Sequence, residues 1–113
     1  MQLRINGSTP SKKNSRINTR SGRSFPSAKY TAWHKEAAKQ LTGAKPIPNG
    51  SILTISFVAG DRRKFDLSNK TESIMDLLVD VGLLEDDNYT IVPQIVLRYA
   101  GYEKNNPYCI IEY

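Results

Sequence analysis

Residues 65–88, FDLSNKTESIMDLLVDVGLLEDDN, form an amphipathic pattern surrounded by carboxylates. The apolar residues recur at a spacing that places them on one face of a helix: Ile74, Met75, Leu77, Leu78 and Val81. Gly82 is typical of the residue that ends a helix. The stretch therefore predicts a helix over about residues 69–80 with one face against a core.

The acidic residues are concentrated in and just before this stretch, although the chain as a whole has a formal charge of +5. Eight of the eleven acidic residues lie between positions 61 and 87: Asp61, Asp66, Glu72, Asp76, Asp80, Glu85, Asp86 and Asp87. Ser68, Glu72, Asp76 and Asp80 are spaced by four and line one helical stripe. Like charges at this spacing cost about 0.2–0.5 kcal/mol per pair, and acids near a helix C-terminus oppose its dipole. A hard cation or a basic partner surface would compensate this arrangement.

Two ordinary structural roles remain open for these residues. Asp66 or Ser68 could serve only as a helix N-cap, and Asp86-Asp87-Asn88 could serve only as a turn. A helix over residues 69–80 advances roughly 16 Å, and six or seven extended residues can return about 20 Å. Asp87 could therefore approach Asp66 in the same chain or in a neighbouring subunit.

The rest of the chain predicts a small mixed sheet with two helices. QLRIN, SILTISFVAG, YTIVPQIVLRYA and YCIIEY have the composition of strands, with Pro93 expected at a bulge or an edge. SAKYTAWHKEAAKQLTG predicts a first helix from its N-cap Ser27 to its stop Gly43. The fold class is thus α/β, of α+β type, with about four strands and both helices packed on one face.

Residues 7–26 predict a long loop or loose hairpin that turns near Ser21-Gly22. Its Lys and Arg side chains recur without an acid between them, and we expect five of them to bind a phosphate backbone: Lys12, Lys13, Arg16, Arg20 and Arg23. The basic residues beside the second helix are expected to join them: Arg62, Arg63, Lys64 and Lys70. A solvated basic surface without a ligand is the alternative.

Length and composition limit the function classes. The 113 residues suffice for a single domain, 1–113, and no apolar run reaches the roughly 18 residues of a membrane span. No secretory signal is visible, so the expected compartment is the cytoplasm. One Cys, expected to be buried, and one His, expected at or near the surface, make a zinc finger or a Cys-His nucleophile improbable. Neither a P-loop nor a dinucleotide fingerprint is present.

The order DRRKFDLSNK, amphipathic helix, VGLLEDDN and strand resembles the RusA family of Holliday junction resolvases, often carried by phages and prophages. The family pattern is a basic Arg run, Asp-x-Asp-Asn, a helix with an internal Asp, a Gly and a closing Asp-Asp. PSKKNSR, followed by the first helix, is similar to the family's Pro-Ser-x-Asn loop. The resemblance implies a small α/β homodimer that uses Mg²⁺ to introduce paired nicks into four-way DNA junctions.

The resemblance also implies the site residues. Asp66 matches the first catalytic aspartate, and Asp87, with Asp86 beside it, matches the one after the helix. Asn69 matches the Asn of the motif and Asp76 the acid within the helix.

Two positions depart from the family pattern. Ser68 stands where a second catalytic aspartate is usual, and Glu72 stands where a lysine is usual. Our interpretation is that Glu72, one helical turn from Ser68, supplies the missing carboxylate. Lys70 or Lys64 would then supply the lost positive charge.

Phosphodiester hydrolysis needs an activated water and stabilisation of the developing charge, both of which Mg²⁺ supplies when carboxylates hold it. We predict Asp66, Asp87 and Glu72 as ligands of Mg²⁺ or Mn²⁺, with Asp86 as a further ligand or as an acceptor that orients a water. Two alternatives stay open. One is a nucleic-acid-binding protein of the same fold without catalysis, and the other is a structural protein whose acidic helix docks a basic partner.

Overall fold

The structure is a computed structural model that describes residues 1–11, 16–18, 22 and 24–113, with residues 16–18, 24 and 25 described by their backbone only. In these residues the chain runs in the order β1 (Gln2–Asn6), β2 (Arg16–Asn18), β3 (Ser24–Pro26), α1 (Ala28–Gln40), β4 (Ile52–Ala59), α2 (Leu67–Asp80), β5 (Gln94–Tyr102) and β6 (Tyr108–Glu112). The order of helices and strands predicted from the sequence is confirmed, and the loop over residues 7–26 contains the hairpin β2–β3.

Four strands form one mixed sheet in the order β1-β6-β4-β5. β4 and β5 are parallel, whereas β6 is antiparallel to both β1 and β4. A parallel pair needs a crossover connection, and α2 provides it between β4 and β5. The N-terminus of α2 therefore lies just past the carboxyl end of β4, where Gly60 and the DRRKFD loop leave the sheet.

Both helices pack on the same face of this sheet, as the sequence predicts. Leu53, Ile55 and Phe57 alternate along β4 and are almost completely buried, whereas Ile52 on the opposite face is 52% exposed. The same core contains Ala37 and Leu41 from α1, together with the stripe of α2 that includes Ile74, Leu77 and Leu78. Burying each large aliphatic side chain contributes about 1.5–3 kcal/mol, so this shared core fixes the position of α2 on the sheet.

The helix ends follow the predicted capping residues. Ser27 caps α1 by accepting a hydrogen bond from the Tyr30 backbone N–H at 3.1 Å. The backbone reverses after α2 at Gly82, whose φ of +80° lies in the left-handed region that glycine adopts most readily. The buried side chains Leu83 and Leu84 then anchor the chain as it leaves the helix.

The prediction that the strand in YTIVPQIVLRYA begins before Pro93 is wrong. β5 starts at Gln94, after Pro93, and the preceding residues form a turn in which the backbone N–H groups of Ile91 and Val92 donate to the Asn88 carbonyl. Ile91 and Val92 are apolar because they enter the core from this turn. The sheet has an irregularity at a different place from Pro93: the pairing of β4 with β5 shifts register between Phe57 and Val58.

β5 forms one edge of the sheet. Among the described residues, seven large hydrophobic side chains are exposed, and four of them belong to this strand: Ile95, Val96, Tyr99 and Tyr102. Long apolar edge strands promote association with another chain. In the described part of the chain, no helix has the length and hydrophobicity needed to cross a membrane.

Candidate functional site

Asp66 stands at the N-cap position of α2 but does not act as a side-chain cap. Its backbone is extended, with φ −91° and ψ 125°, and its carboxylate makes no capping hydrogen bond. The carboxylate accepts a bond from the Asn69 side-chain amide at 3.2 Å instead. Asp66 thus takes the position of a cap residue while its exposed carboxylate is held by the Asn of the same motif.

Glu72, Asp76 and Asp87 meet at one cleft, which we call the acidic cleft. It has a volume of about 460 Å³ and is also lined by Thr71, Met75 and Ile95. Glu72 and Asp76 come from consecutive turns of α2, and Asp87 comes from the segment that leads to β5. Asp87 therefore does return along α2 after the helix, as the chain-length argument allows.

Asp86 is used by its own turn. One carboxylate oxygen accepts the Asp87 backbone N–H at 2.7 Å, and the other accepts the Asn88 side-chain amide at 3.0 Å. The bond from the Asp87 backbone N–H lowers the pKa of the Asp86 carboxyl. Asp86 thus serves the turn considered from the sequence, while its neighbour Asp87 lines the acidic cleft.

The predicted metal ligands fall into two groups along α2. Asp66 lines a separate cavity of about 280 Å³ with Ser11, Lys64, Phe65 and Asn69, whereas Glu72 and Asp87 line the acidic cleft. Within the described residues, no three His, Cys, Asp or Glu side chains lie close enough together to hold a metal ion. The Mg²⁺ site built from Asp66, Asp87 and Glu72 stays a prediction.

The basic residues near the start of α2 have different environments. Arg63 Nη2 and Nε both donate to Asp61 Oδ2, at 2.9 and 3.1 Å. These side-chain hydrogen bonds lower the pKa of the Asp61 carboxyl. The Arg62 guanidinium lies over the ring of Tyr102 at 4.9 Å, and Lys64 is exposed. Lys70 alone is half-buried, and this burial lowers its pKa.

The remaining predicted positions can be placed only in part. Ser68 is exposed in the first turn of α2 and does not line the acidic cleft. Lys12, Lys13, Arg20 and Arg23 lie outside the described residues, as does the side chain of Arg16. Their predicted contacts with phosphate stay predictions.

The contacts of the one histidine, His34, and the burial of the one cysteine, Cys109, are typical of residues with structural roles. His34 Nε2 lies 2.9 Å from Asp80 Oδ2, so this pair joins α1 to the end of α2. Burial raises the pKa of the Cys109 thiol to about 12, as suits the buried hydrophobe predicted from the sequence. A lone buried thiol with this pKa is not a nucleophile at neutral pH.

Sequence reasoning missed how the start of the chain is attached to α2. The Lys70 ammonium donates to the Thr9 carbonyl at 2.8 Å, and the buried Ser73 hydroxyl donates to the Pro10 carbonyl at 2.7 Å. Residues 7–11 consequently lie beside the DRRKFD loop. Lys70 and Ser73 interrupt the apolar pattern of a helix, which was the available signal that this face meets polar backbone.

Comparison of the sequence with models of protein families and with curated proteins gives no match.

Proposed function

We propose that the protein is a Mg²⁺-dependent, structure-specific endodeoxyribonuclease that resolves four-way DNA junctions in the cytoplasm by paired phosphodiester hydrolysis. The observation that carries the proposal is the acidic cleft, where Glu72 and Asp87 face one space from two segments of the chain. Neither carboxylate forms an ion pair with another described residue. A bound divalent cation would compensate these charges and supply the Lewis acid that phosphodiester hydrolysis needs.

The basic residues beside α2 support nucleic acid as the substrate class. Arg62, Lys64 and Lys70 lie near Asp66, on the side of α2 where the chain leaves β4. Cations at that position would neutralise phosphates and bring the strand to the carboxylates. The choice of a four-way junction among branched DNAs rests on the resemblance of residues 62–88 to the RusA family.

The experiment is incubation of the protein with a synthetic four-way junction and Mg²⁺, with a linear duplex of the same sequence as the control. Paired nicks in the junction, dependent on Mg²⁺ or Mn²⁺, are expected. Binding of the junction without cleavage would instead support the second candidate, a nucleic-acid-binding protein of the same fold. The departures Ser68 and Glu72 from the family pattern favour that candidate.

The proposed nuclease acts as a homodimer, because paired nicks in a nearly two-fold junction need two sites held together. The exposed apolar edge strand β5 supports this assembly, since two copies of one edge can pair under two-fold symmetry.

Val96→Lys is expected to convert the dimer to a monomer, because the two-fold places like charges near each other at the paired edges. Light scattering measures the mass. Tyr89→Lys is the matched control, because Tyr89 is 81% exposed but lies outside β5. A wild-type monomer, with or without DNA, would contradict the assembly.

Replacing Lys12, Lys13, Arg16, Arg20 and Arg23 together by Ala is expected to weaken binding to every DNA shape. Each phosphate contact contributes about 0.9 to the slope of log K against log salt concentration, so the slope should flatten by up to about four units. Binding measured across a salt series checks this. Parallel salt plots for wild type and variant would show that these residues do not contact phosphate.

A further inference from the structure

A cavity of about 370 Å³ lies at the carboxyl end of β4, beside the Asp66 cavity. We call it the basic pocket. Three segments distant in sequence build its walls: residues 7–9, residues 57–65 with Lys70, and residues 105–108. Lys64 and Phe65 line both this cavity and the cavity that contains Asp66, so the two spaces are neighbours.

The walls of the basic pocket are braced by backbone contacts. The Gly7 N–H donates to the Pro107 carbonyl at 2.9 Å, and the Asn105 N–H donates to the Gly60 carbonyl at 2.9 Å. Gly60 approaches Pro107 so closely that a Cβ would lie 2.6 Å from the proline Cδ. The pocket is therefore preformed by the fold, and glycine at position 60 is required by this close approach.

The charge in the basic pocket is positive. Its lining includes Arg63, Lys64 and Lys70 but one carboxylate, Asp61, which Arg63 already binds. The Lys70 ammonium carries three donors, and the Thr9 carbonyl is the one acceptor it bonds among the described residues. The ring of Phe65 lies 4.4 Å from this ammonium. Burying a cation with this single described acceptor is costly, and a bound anion would offset that cost.

We propose that the basic pocket binds one phosphodiester of the substrate strand, with Lys70 as its phosphate ligand and Lys64 at the boundary with Asp66. This deepens the proposed nuclease function and rests on it for the identity of the strand. The bound phosphodiester is adjacent to the phosphate presented to Asp66, so the pocket sets the position of the strand along α2. The pocket lies where ligands commonly bind in α/β folds, past the carboxyl end of a parallel strand.

The test is an NMR titration with a thymidine dinucleotide, which carries a single phosphodiester, at low salt with EDTA and without divalent metal. The amide signals of Ser8, Gly60 and Lys70 are expected to shift as the dinucleotide binds. Lys70→Met retains the apolar stem and removes the charge, and it should weaken binding by about tenfold or more. Lys39→Met, at an exposed lysine in the last turn of α1, should bind as wild type does.

The possible outcomes separate this assignment from the nuclease proposal. Shifts confined to other surfaces, or equal binding by Lys70→Met and wild type, would overturn it. Inorganic phosphate that binds as tightly as the dinucleotide would overturn the assignment to a strand. If Lys70→Met does not fold, the map of shifted amides in the wild-type protein still decides. Because the titration contains no metal, binding of the dinucleotide in the basic pocket would stand even if the protein failed to cleave junctions. Equally, cleavage of junctions would stand even if the pocket did not bind the dinucleotide.

Discussion

Replacing either Asp66 or Asp87 by Asn is expected to reduce Mg²⁺-dependent cleavage of a four-way junction at least about 100-fold, since even partners outside the metal ligands are worth about 10- to 100-fold. Asn preserves the shape of the side chain and removes the charge that a hard cation requires. Binding of the junction should be retained, because affinity comes from cations and uncompensated carboxylates repel phosphate. Single-turnover cleavage and a metal-free binding assay measure the two effects separately.

Asp80→Asn is the matched control for this pair. Asp80 belongs to the same acidic stripe of α2, but its carboxylate binds His34 at the far end of the helix. This variant should cleave at the wild-type rate. Full activity of Asp66→Asn or Asp87→Asn with Mg²⁺ present would overturn the assignment of the site.

Local signals in the sequence were sufficient for most of the fold. The apolar spacing in residues 65–88 and the capping residues Ser27 and Gly82 act within a few residues of one another, so they predicted α1 and α2 closely. SILTISFVAG has the composition of a strand, and it forms β4. The apolar residues Ile91 and Val92 misled the prediction of β5, because a turn anchored in a core has the same composition as a strand.

The candidate site was less predictable because its contacts join distant segments. The sequence around Lys70 does not identify the Thr9 carbonyl as the partner of its ammonium, and the basic pocket depends on a loop near Pro107 as well. Asp86 and Asp87 are adjacent and chemically identical, yet one closes its own turn and the other lines the acidic cleft. Such a difference is set by backbone direction in the folded chain.

Glu72→Ala is expected to lower the cleavage rate about as much as the aspartate variants do, at least about 100-fold, if Glu72 is the second carboxylate of the metal site. The acidic cleft motivates this expectation, because Glu72 shares that space with Asp87 while Ser68 lies outside it. The variant should also need a higher Mg²⁺ or Mn²⁺ concentration for half-maximal rate. Glu36→Ala removes an exposed glutamate from α1 and is the matched control.

The Ser68→Asp variant distinguishes two hypotheses. In the first, Glu72 compensates for the aspartate missing at position 68; in the second, the protein has lost catalysis. An aspartate in the first turn of α2 suits the helix dipole and adds a carboxylate close to Asp66, so activity should be kept or raised. In the double variant Ser68→Asp with Glu72→Ala, part of the lost rate should return, since the introduced aspartate can then supply the second carboxylate. A Glu72→Ala protein that cuts as fast as wild type would mean that Glu72 is only a solvent-exposed helix residue. The charge of α2 would then need another partner, and a basic protein surface is the one that the sequence leaves open.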